Sequence, residues 1–339
     1  MAVELAARGN ALSLHASPAR EVVVLRALPG LGDLLCGVPA LRALRAALPE
    51  AHIAVIGLPA AGLLLERFGR YVDELIDFPG YPGIPERPYE PVGLERFLAE
   101  MRRRRFDLAL QLHGSGECSN EFVSQLGARA TAGFQRADST PLDPARSLVF
   151  SESEPEPIRN LNLVRHLGGE GDPDLEFPVL DADRARLDML SSPLLDGAYA
   201  VLHPGASRTD RRWPLARFAA VGDVLAARGL QVVLTGSEDE RTLTRELARL
   251  MRSPAVDLAG RTDIGALAAL LASASVAVCN DTGVSHLAAA LHAPSVVVFT
   301  TSNPARWAPL DRRLHRLVAP AGSIAPVLDA VDDVLSEAA

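Results

Sequence analysis

The sequence predicts an α/β protein made of two doubly wound domains, each a parallel sheet with helices on both faces. Three observations predict this class. Short β-branched runs alternate with longer stretches of helical periodicity along the chain. The short runs are almost continuously apolar, the pattern of parallel strands buried on both faces, rather than alternating as in a half-exposed sheet. Finally, at 339 residues the chain is longer than one hydrophobic core ordinarily organises, so two domains are expected.

In the first half the strands are expected at EVVVL (21–25), HIAVIG (52–57), DELIDF (73–78), DLALQL (107–112) and ATAGF (130–134). In the second half they are expected at YAVLH (199–203), QVVLTG (231–236), AVDLAG (255–260), VAVCN (276–280) and SVVVFT (295–300). After the first strand, Leu34, Val38, Leu41, Leu44 and Leu48 recur at helical spacing, with Arg42 and Arg45 on the other side. Pro39 is expected to kink or restart that helix. Residues 136–198 are rich in Pro, Asp, Glu and Ser, and SESEPEPIRN is the most loop-like stretch. The boundary is placed near residue 185, giving an N-terminal domain over 1–185 and a C-terminal domain over 186–320. In SIAPVLDAVDDVLSEA, residues Ile324, Val327, Leu328, Val331, Val334 and Leu335 share one helical face. The segment 321–339 is therefore expected to be a helix packing across the two domains.

Composition narrows the function. A hydrophobic share of 48% and a charged share of 22% are those of an ordinary globular protein. The net charge of −8 offers no basic field for nucleic acid, which is excluded as the main partner. All 34 basic residues are arginine, so an arginine where lysine is usual reflects composition rather than altered chemistry. Cys36, Cys118 and Cys279 have no paired spacing, so neither a disulfide framework nor a cysteine zinc site is expected. No secretion signal or membrane-spanning run is visible, and a cytoplasmic, at most peripheral, protein is expected.

Three stretches carry chemistry. In VVVLRALPGLGDLLCGVPALRAL (22–44) a strand, a glycine-rich turn and a helix follow one another, and Asp33 stands in the turn. A carboxylate there is either a helix-capping residue or a group placed where ligands sit, outside the carboxyl ends of the strands. In CNDTGVSHLAAALHAPSVVVF (279–299) Asp281 and Thr282 can cap a helix, Gly283 allows close approach to the backbone, and His286 lies one turn in. Helix N–H groups and the dipole make such a terminus suited to phosphate, although a well-capped helix with an incidental histidine reads equally well. In VLHPGASRTDRRWPLARFAAVGDVLAARGLQVVLTGSEDE (201–240) Arg211 and Arg212 offer planar donors to a pyrophosphate. Trp213 and Pro214 read as packing, while Glu238, Asp239 and Glu240 read either as ribose ligands or as helix caps. Gly30 and Gly32 begin a dinucleotide fingerprint, but Leu35 fills its third glycine position, which argues against a dehydrogenase.

Together GLGDLLCGVPALRALRAALPEAHI, HPGASRTDRRWP and NDTGVSHLAAALHAP resemble the glycosyltransferase family 9 heptosyltransferases of lipopolysaccharide core assembly. The resemblance runs from about Val22 to Pro309, with all three motifs in order. It implies a GT-B enzyme: two Rossmann-like domains facing across a cleft, the acceptor on the first and the nucleotide sugar on the second. It implies Asp33 as the general base, and Arg211 as the cation that neutralises the departing diphosphate. Ser207, Arg212, Asp281, Thr282, Gly283 and His286 are implied as nucleotide-sugar ligands, with Glu240 rather than Glu238 on the ribose. No metal ligands and no cofactor beyond the nucleotide-diphosphate sugar are expected.

Two departures stand out. Arg211 replaces the family's usual lysine, and Thr300, Thr301 and Ser302 stand where the family often reads Gly-Pro-Thr. The implied reaction is inverting, metal-independent transfer of a heptose or related sugar, ADP-linked, to a lipopolysaccharide-core or other envelope glycan or glycolipid. A GT-B nucleotide-sugar epimerase and a non-catalytic nucleotide-binding relative are the alternatives. MRRRRF (101–106) is either a solvated helix end or a contact to anionic lipid, as at the inner-membrane surface, or to phosphorylated glycan.

Overall fold

A computed structural model of the chain describes residue 14 and residues 19–191, 197–320 and 322–337. The chain divides into two compact units, Met1–Asp174 and Leu175–Ala339.

The first unit is built on six strands, β1 (Glu21–Leu25), β2 (His52–Gly57), β3 (Glu74–Asp77), β4 (Leu108–Gln111), β5 (Ala130–Gln135) and β6 (Ser147–Val149). Its helices are α1 (Leu31–Leu35), α2 (Val38–Ala47), α3 (Gly62–Phe68), α4 (Pro91–Arg104), α5 (Ser119–Gln125) and α6 (Glu156–His166). The strands lie in the order β3-β2-β1-β4-β5-β6, all parallel, with Val24 level with Val55 on one side and Leu110 on the other.

The second unit begins with α7 (Asp181–Ser191) and is built on β7 (Tyr199–His203), β8 (Gln231–Leu234), β9 (Ala255–Asp257), β10 (Val276–Asn280), β11 (Ser295–Val298) and β12 (His315–Val318). Its other helices are α8 (Leu215–Ala227), α9 (Arg241–Leu250), α10 (Ile264–Ala272), α11 (Gly283–Ala290), α12 (Pro304–Trp307) and α13 (Ala325–Glu337). The strand order β12-β11-β10-β7-β8-β9 repeats the arrangement of the first unit, strand for strand.

Burial explains the apolar strands. Val22 to Leu25 and Val276, Val278 and Cys279 have no solvent exposure. Each such Val or Leu side chain contributes about 1.5–3 kcal/mol relative to an exposed one. Pro39 occupies the first turn of α2, where its missing N–H costs nothing. The helical pattern at 34–48 is thus two helices, and the proline restarts the second.

Three expectations change. The loop-like SESEPEPIRN contains the start of α6, whose Pro157 lies in its first turn, another position that suits proline. The units divide upstream of residue 185, because α7 packs against α10 and so joins the second unit. The edge strands β6 and β12 lie where no strand was expected: SLV and HRLV are short and gain their form by pairing to β5 and β11. The terminal helix α13 buries Val327, Ala330, Val331 and Val334 and packs on β10, β11 and β12. Arg228–Asp332, paired through Nη1 at 2.5 Å, also holds it to α8. Among the described residues no helix is long and apolar enough to cross a membrane.

Candidate functional site

Each sheet reverses its winding at its centre, between β1 and β4 in the first unit and between β7 and β10 in the second. In an open parallel sheet the crevice outside the carboxyl ends at that reversal is where ligands bind. The motif residues follow these strands: Asp33 comes after β1, Ser207, Arg211 and Arg212 after β7, and Asp281 to His286 after β10.

In the first unit, Gly30 is the N-cap of α1, in extended backbone at φ −79° and ψ 139°, and Asp33 stands in that helix's first turn, half-buried. A side chain on Gly30 would run into the Asp33 carboxylate, so the glycine makes room for the acid. Behind the turn, Arg26 is 1% exposed. Its Nε donates to the Asp33 carbonyl at 2.9 Å, Nη2 donates to the same oxygen, and Nη1 donates to the Leu112 carbonyl at 2.8 Å. At the end of β4, His113 Nδ1 accepts from the Ala27 N–H at 3.3 Å, and Nε2 lies 3.6 Å from Glu86 Oε2. Burial, aided by the Arg26 charge, pushes the His113 pKa down to about 4, so the ring is neutral at neutral pH. Sequence reading missed both residues. The available signal was position: each lies within two residues of the end of a buried strand at the sheet's reversal.

In the second unit, Asn280 ends β10 fully buried and ties the other loops together. Its Oδ1 accepts from the Trp213 N–H at 2.9 Å, and its Nδ2 donates to the carbonyls of Pro204 at 2.8 Å and Gly205 at 3.2 Å. The loop bearing Ser207, Arg211 and Arg212 is thereby fastened to the end of β10. Trp213 packs edge-on against Phe218, with ring centres 5.2 Å apart, which is the packing role expected of it.

Arg212 bends back to donate from Nε and Nη2 to the Ala206 carbonyl at 3.0 and 2.8 Å, bracing the loop from inside. Ser207 is exposed. Arg211 closes a 3-10 turn, Thr209–Arg211. Asp281 is 3% exposed; burial raises its pKa, while the Ser302 hydroxyl and the Arg211 charge oppose the rise.

Thr282 caps α11 by accepting the Val284 N–H at 3.3 Å, and Gly283 is the first residue of the helix. His286 is buried, its ring edge-on to Trp307 at 6.0 Å between centres. Glu240 accepts from the Ser237 N–H at 2.8 Å and hydroxyl at 3.1 Å, closing a capping box. Its carboxylate also lies against Gly205, where a side chain would collide with it. Glu238 turns instead to Arg241 at 2.7 Å. Of the acids in the 3-10 turn Glu238–Glu240, Glu240 therefore faces the β7 loop.

The sequence's departure at residue 300 has a visible consequence. Thr300 Oγ1 donates to the Asp210 carbonyl at 3.0 Å, pinning the peptide that precedes Arg211. Thr300→Val keeps the shape and removes the donor. We expect the variant to fold normally and to weaken phosphate-dependent nucleotide binding by about 0.5–1.5 kcal/mol, read by titration calorimetry against Thr300→Ser, which keeps the hydroxyl.

The second switch point thus joins a helix N-terminus, with its partial positive charge, to an arginine on a braced turn and a carboxylate beside a small-residue loop. Such a set suits a diphosphate with a ribose next to it. The first switch point presents a half-buried carboxylate on a rigid turn, a group able to take a proton.

The profile described as "Glycosyltransferase family 9 (heptosyltransferase)" matches residues 94–329, more than half of the chain. "Lipopolysaccharide heptosyltransferase 3" of Escherichia coli is 30% identical over 154 residues, a match covering 43% of this chain and 43% of that protein. Among solved structures, a family 9 glycosyltransferase from Veillonella parvula superposes with a TM-score of 0.77 at 21% identity, covering 94% of this chain and 98% of its own. The ADP-heptose lipopolysaccharide heptosyltransferase II of E. coli gives a TM-score of 0.75 at 21% identity, covering 94% and 99%. The fold is accordingly GT-B, and the chain belongs to glycosyltransferase family 9.

Proposed function

We propose that the protein transfers a heptose, or a related sugar, from an ADP-linked donor to a lipopolysaccharide-core or other cell-envelope glycan. Transfer inverts the anomeric centre and uses no metal. The observation that carries this reading is the fastening of the loop that bears Arg211 to Asn280, at the start of the turn leading through Asp281 into α11, in a family 9 chain.

In this reading the donor's diphosphate lies at the start of α11, over Thr282 and Gly283 and beside Arg211, with His286, Arg212 and Ser207 bordering it and Glu240 on the ribose. The Asp33 carboxylate takes the proton from the acceptor hydroxyl. The freed oxygen forms its bond to the anomeric carbon as the bond from that carbon to the diphosphate oxygen breaks. The transition state has oxocarbenium character. The electron pair leaves on the diphosphate, whose growing charge the guanidinium and helix dipole meet without reorganising.

The acceptor is an envelope glycolipid, which sets the work at the cytoplasmic face of the inner membrane. Contact there is peripheral. Arg104 is committed to Glu74 and Arg102 to the Gln125 carbonyl, while Arg103 and Arg105 are exposed and are the cations we assign to that contact.

Titration with ADP-, GDP- and UDP-sugars tests the reading, with the ADP-linked sugar expected to bind tightest. Arg211→Ala should weaken that binding by about 1.5–3 kcal/mol, the scale of hydrogen bonds to a charged group, yet leave adenosine binding unchanged. Arg211→Lys should keep most of the affinity. Absence of binding by all three sugars overturns the assignment, and turnover of the donor without any acceptor favours an epimerase.

A further inference from the structure

We infer that Arg26 is the positioning residue for Asp33: its buried guanidinium holds the backbone of the acid-bearing turn in place from behind. The inference rests on the proposal that Asp33 is the general base, and it assigns to that base a support that the motifs do not name.

The geometry is one-sided and dense. Two nitrogens of Arg26, Nε at 2.9 Å and Nη2, converge on the carbonyl oxygen of Asp33 itself, while Nη1 reaches the Leu112 carbonyl at 2.8 Å. The guanidinium therefore bridges the turn after β1 to the chain leaving β4, the two strands that flank the sheet's reversal. A guanidinium is planar and presents its donors in a fixed fork, so the carbonyl it holds has little freedom to move.

A buried cation needs compensation, and α6 supplies it. Glu156, 3% exposed, places Oε1 3.9 Å from Arg26 Nη2 and pairs through Oε2 with Arg159. Arg159 is itself 1% exposed and lies over the Phe150 ring, 4.0 Å from its centre. From the same helix Asn160 Nδ2 donates to the Cys36 carbonyl at 3.0 Å, which fixes the far end of α1. The turn is thus gripped at Asp33 by Arg26 and at Cys36 by Asn160.

Two glycines keep the arrangement open. Gly30 leaves room for the Asp33 carboxylate, and a Cβ on Gly37 would come within 2.7 Å of Arg26 Nε and 2.9 Å of its Cδ. The spacing G-x-x-D-x-x-x-G in this turn accordingly has a physical account: the first glycine clears the acid, and the second clears the arginine that holds it.

A general base acts only from the right place, and a displacement of about 1 Å can cost a hundredfold in rate. Arg26→Lys keeps the charge opposite Glu156 but cannot hold one carbonyl with two nitrogens while reaching another. Gly37→Ala keeps the arginine and crowds its Nε and Cδ. Both variants should lower kcat for sugar transfer by about ten- to hundredfold. Both should leave the dissociation constant for ADP unchanged, because the residues assigned to the nucleotide belong to the other compact unit.

The measurements are kcat and KM on the full chain, calorimetric titration with ADP, and melting temperature, with Asp33→Asn run beside them. A rate loss in both variants with ADP affinity retained supports the inference. Normal kcat in either folded variant overturns it, even if the melting temperature falls, because a purely structural arginine would alter stability and not turnover. If Asp33→Asn is itself active, the general-base reading fails first, and the inference falls with it. The three variants keep the two failures apart.

Discussion

Asp33→Asn is expected to lower kcat for sugar transfer by about two orders of magnitude or more, the contribution of a positioned general base, with donor affinity and melting temperature near those of the parent. Asparagine has the same shape and cannot accept the proton. Stability should hold because the residue is half-buried in the first turn of α1 and the N-cap is Gly30, not Asp33. Arg26 holds the turn through the Asp33 carbonyl, a grip that the swap leaves intact. Because only the transition state loses an interaction, kcat and kcat/KM should fall together. Steady-state kinetics on an envelope acceptor and calorimetry with the donor separate the effects. Retained turnover would show that the carboxylate serves the helix and not the chemistry.

Gly283→Val is expected to abolish donor binding while shifting stability by no more than about 1 kcal/mol, the range of helix-propensity differences. Gly283 opens α11 directly after its cap, Thr282. In the proposed donor site the diphosphate approaches backbone N–H groups at that position, and any side chain stands between them and the phosphate. Valine, branched at Cβ, has few rotamers with which to turn aside. The helix itself should survive. Its cap bond from Val284 to Thr282 uses the threonine hydroxyl, and Val284, Ser285, His286, Leu287, Ala288 and Ala290 are buried around it. Calorimetry with an ADP-sugar, together with a melting curve, reads both quantities. Parent-like affinity would remove the diphosphate from this helix and, with it, the assignment of Thr282 and His286.

The two expectations depend on different parts of the fold, and the repeated topology explains the division. Both sheets reverse winding at equivalent strands, so each unit offers one crevice at the carboxyl ends of its central strands. The first crevice carries an acid on a short, tightly held turn. The second carries small residues, an arginine and a longer helix terminus. In the proposed function one sheet design therefore serves proton transfer in one unit and anion binding in the other.

The class of fold and the central strands were legible in the sequence alone. Strands such as EVVVL and VAVCN announce themselves because burial on both faces demands unbroken apolar runs. The glycine-rich turn, the HPGAS loop and the DTG helix start could be read because each rests on local backbone geometry, which neighbouring residues encode. Pro39 could be read as a restart because a proline restricts its own surroundings. The rest depends on partners far along the chain. The edge strands β6 and β12 have little pattern of their own and exist through pairing on one side. Proline and acid composition made the start of α6 look like a loop, yet packing against α2 makes it a helix. The helix α7 joined the second unit through α10, a contact that no local signal records. Above all, Arg26 reads in sequence as a polar residue at a strand's end. Its burial follows from a carbonyl at Leu112 and a carboxylate at Glu156, brought to it by strand pairing and by α6. Asn280 likewise acts on Pro204, Gly205 and Trp213, residues of another loop. Local rules reveal which residues can do chemistry, but the groups that hold them still are chosen by long-range contact, where free energy depends on geometry that no short window contains.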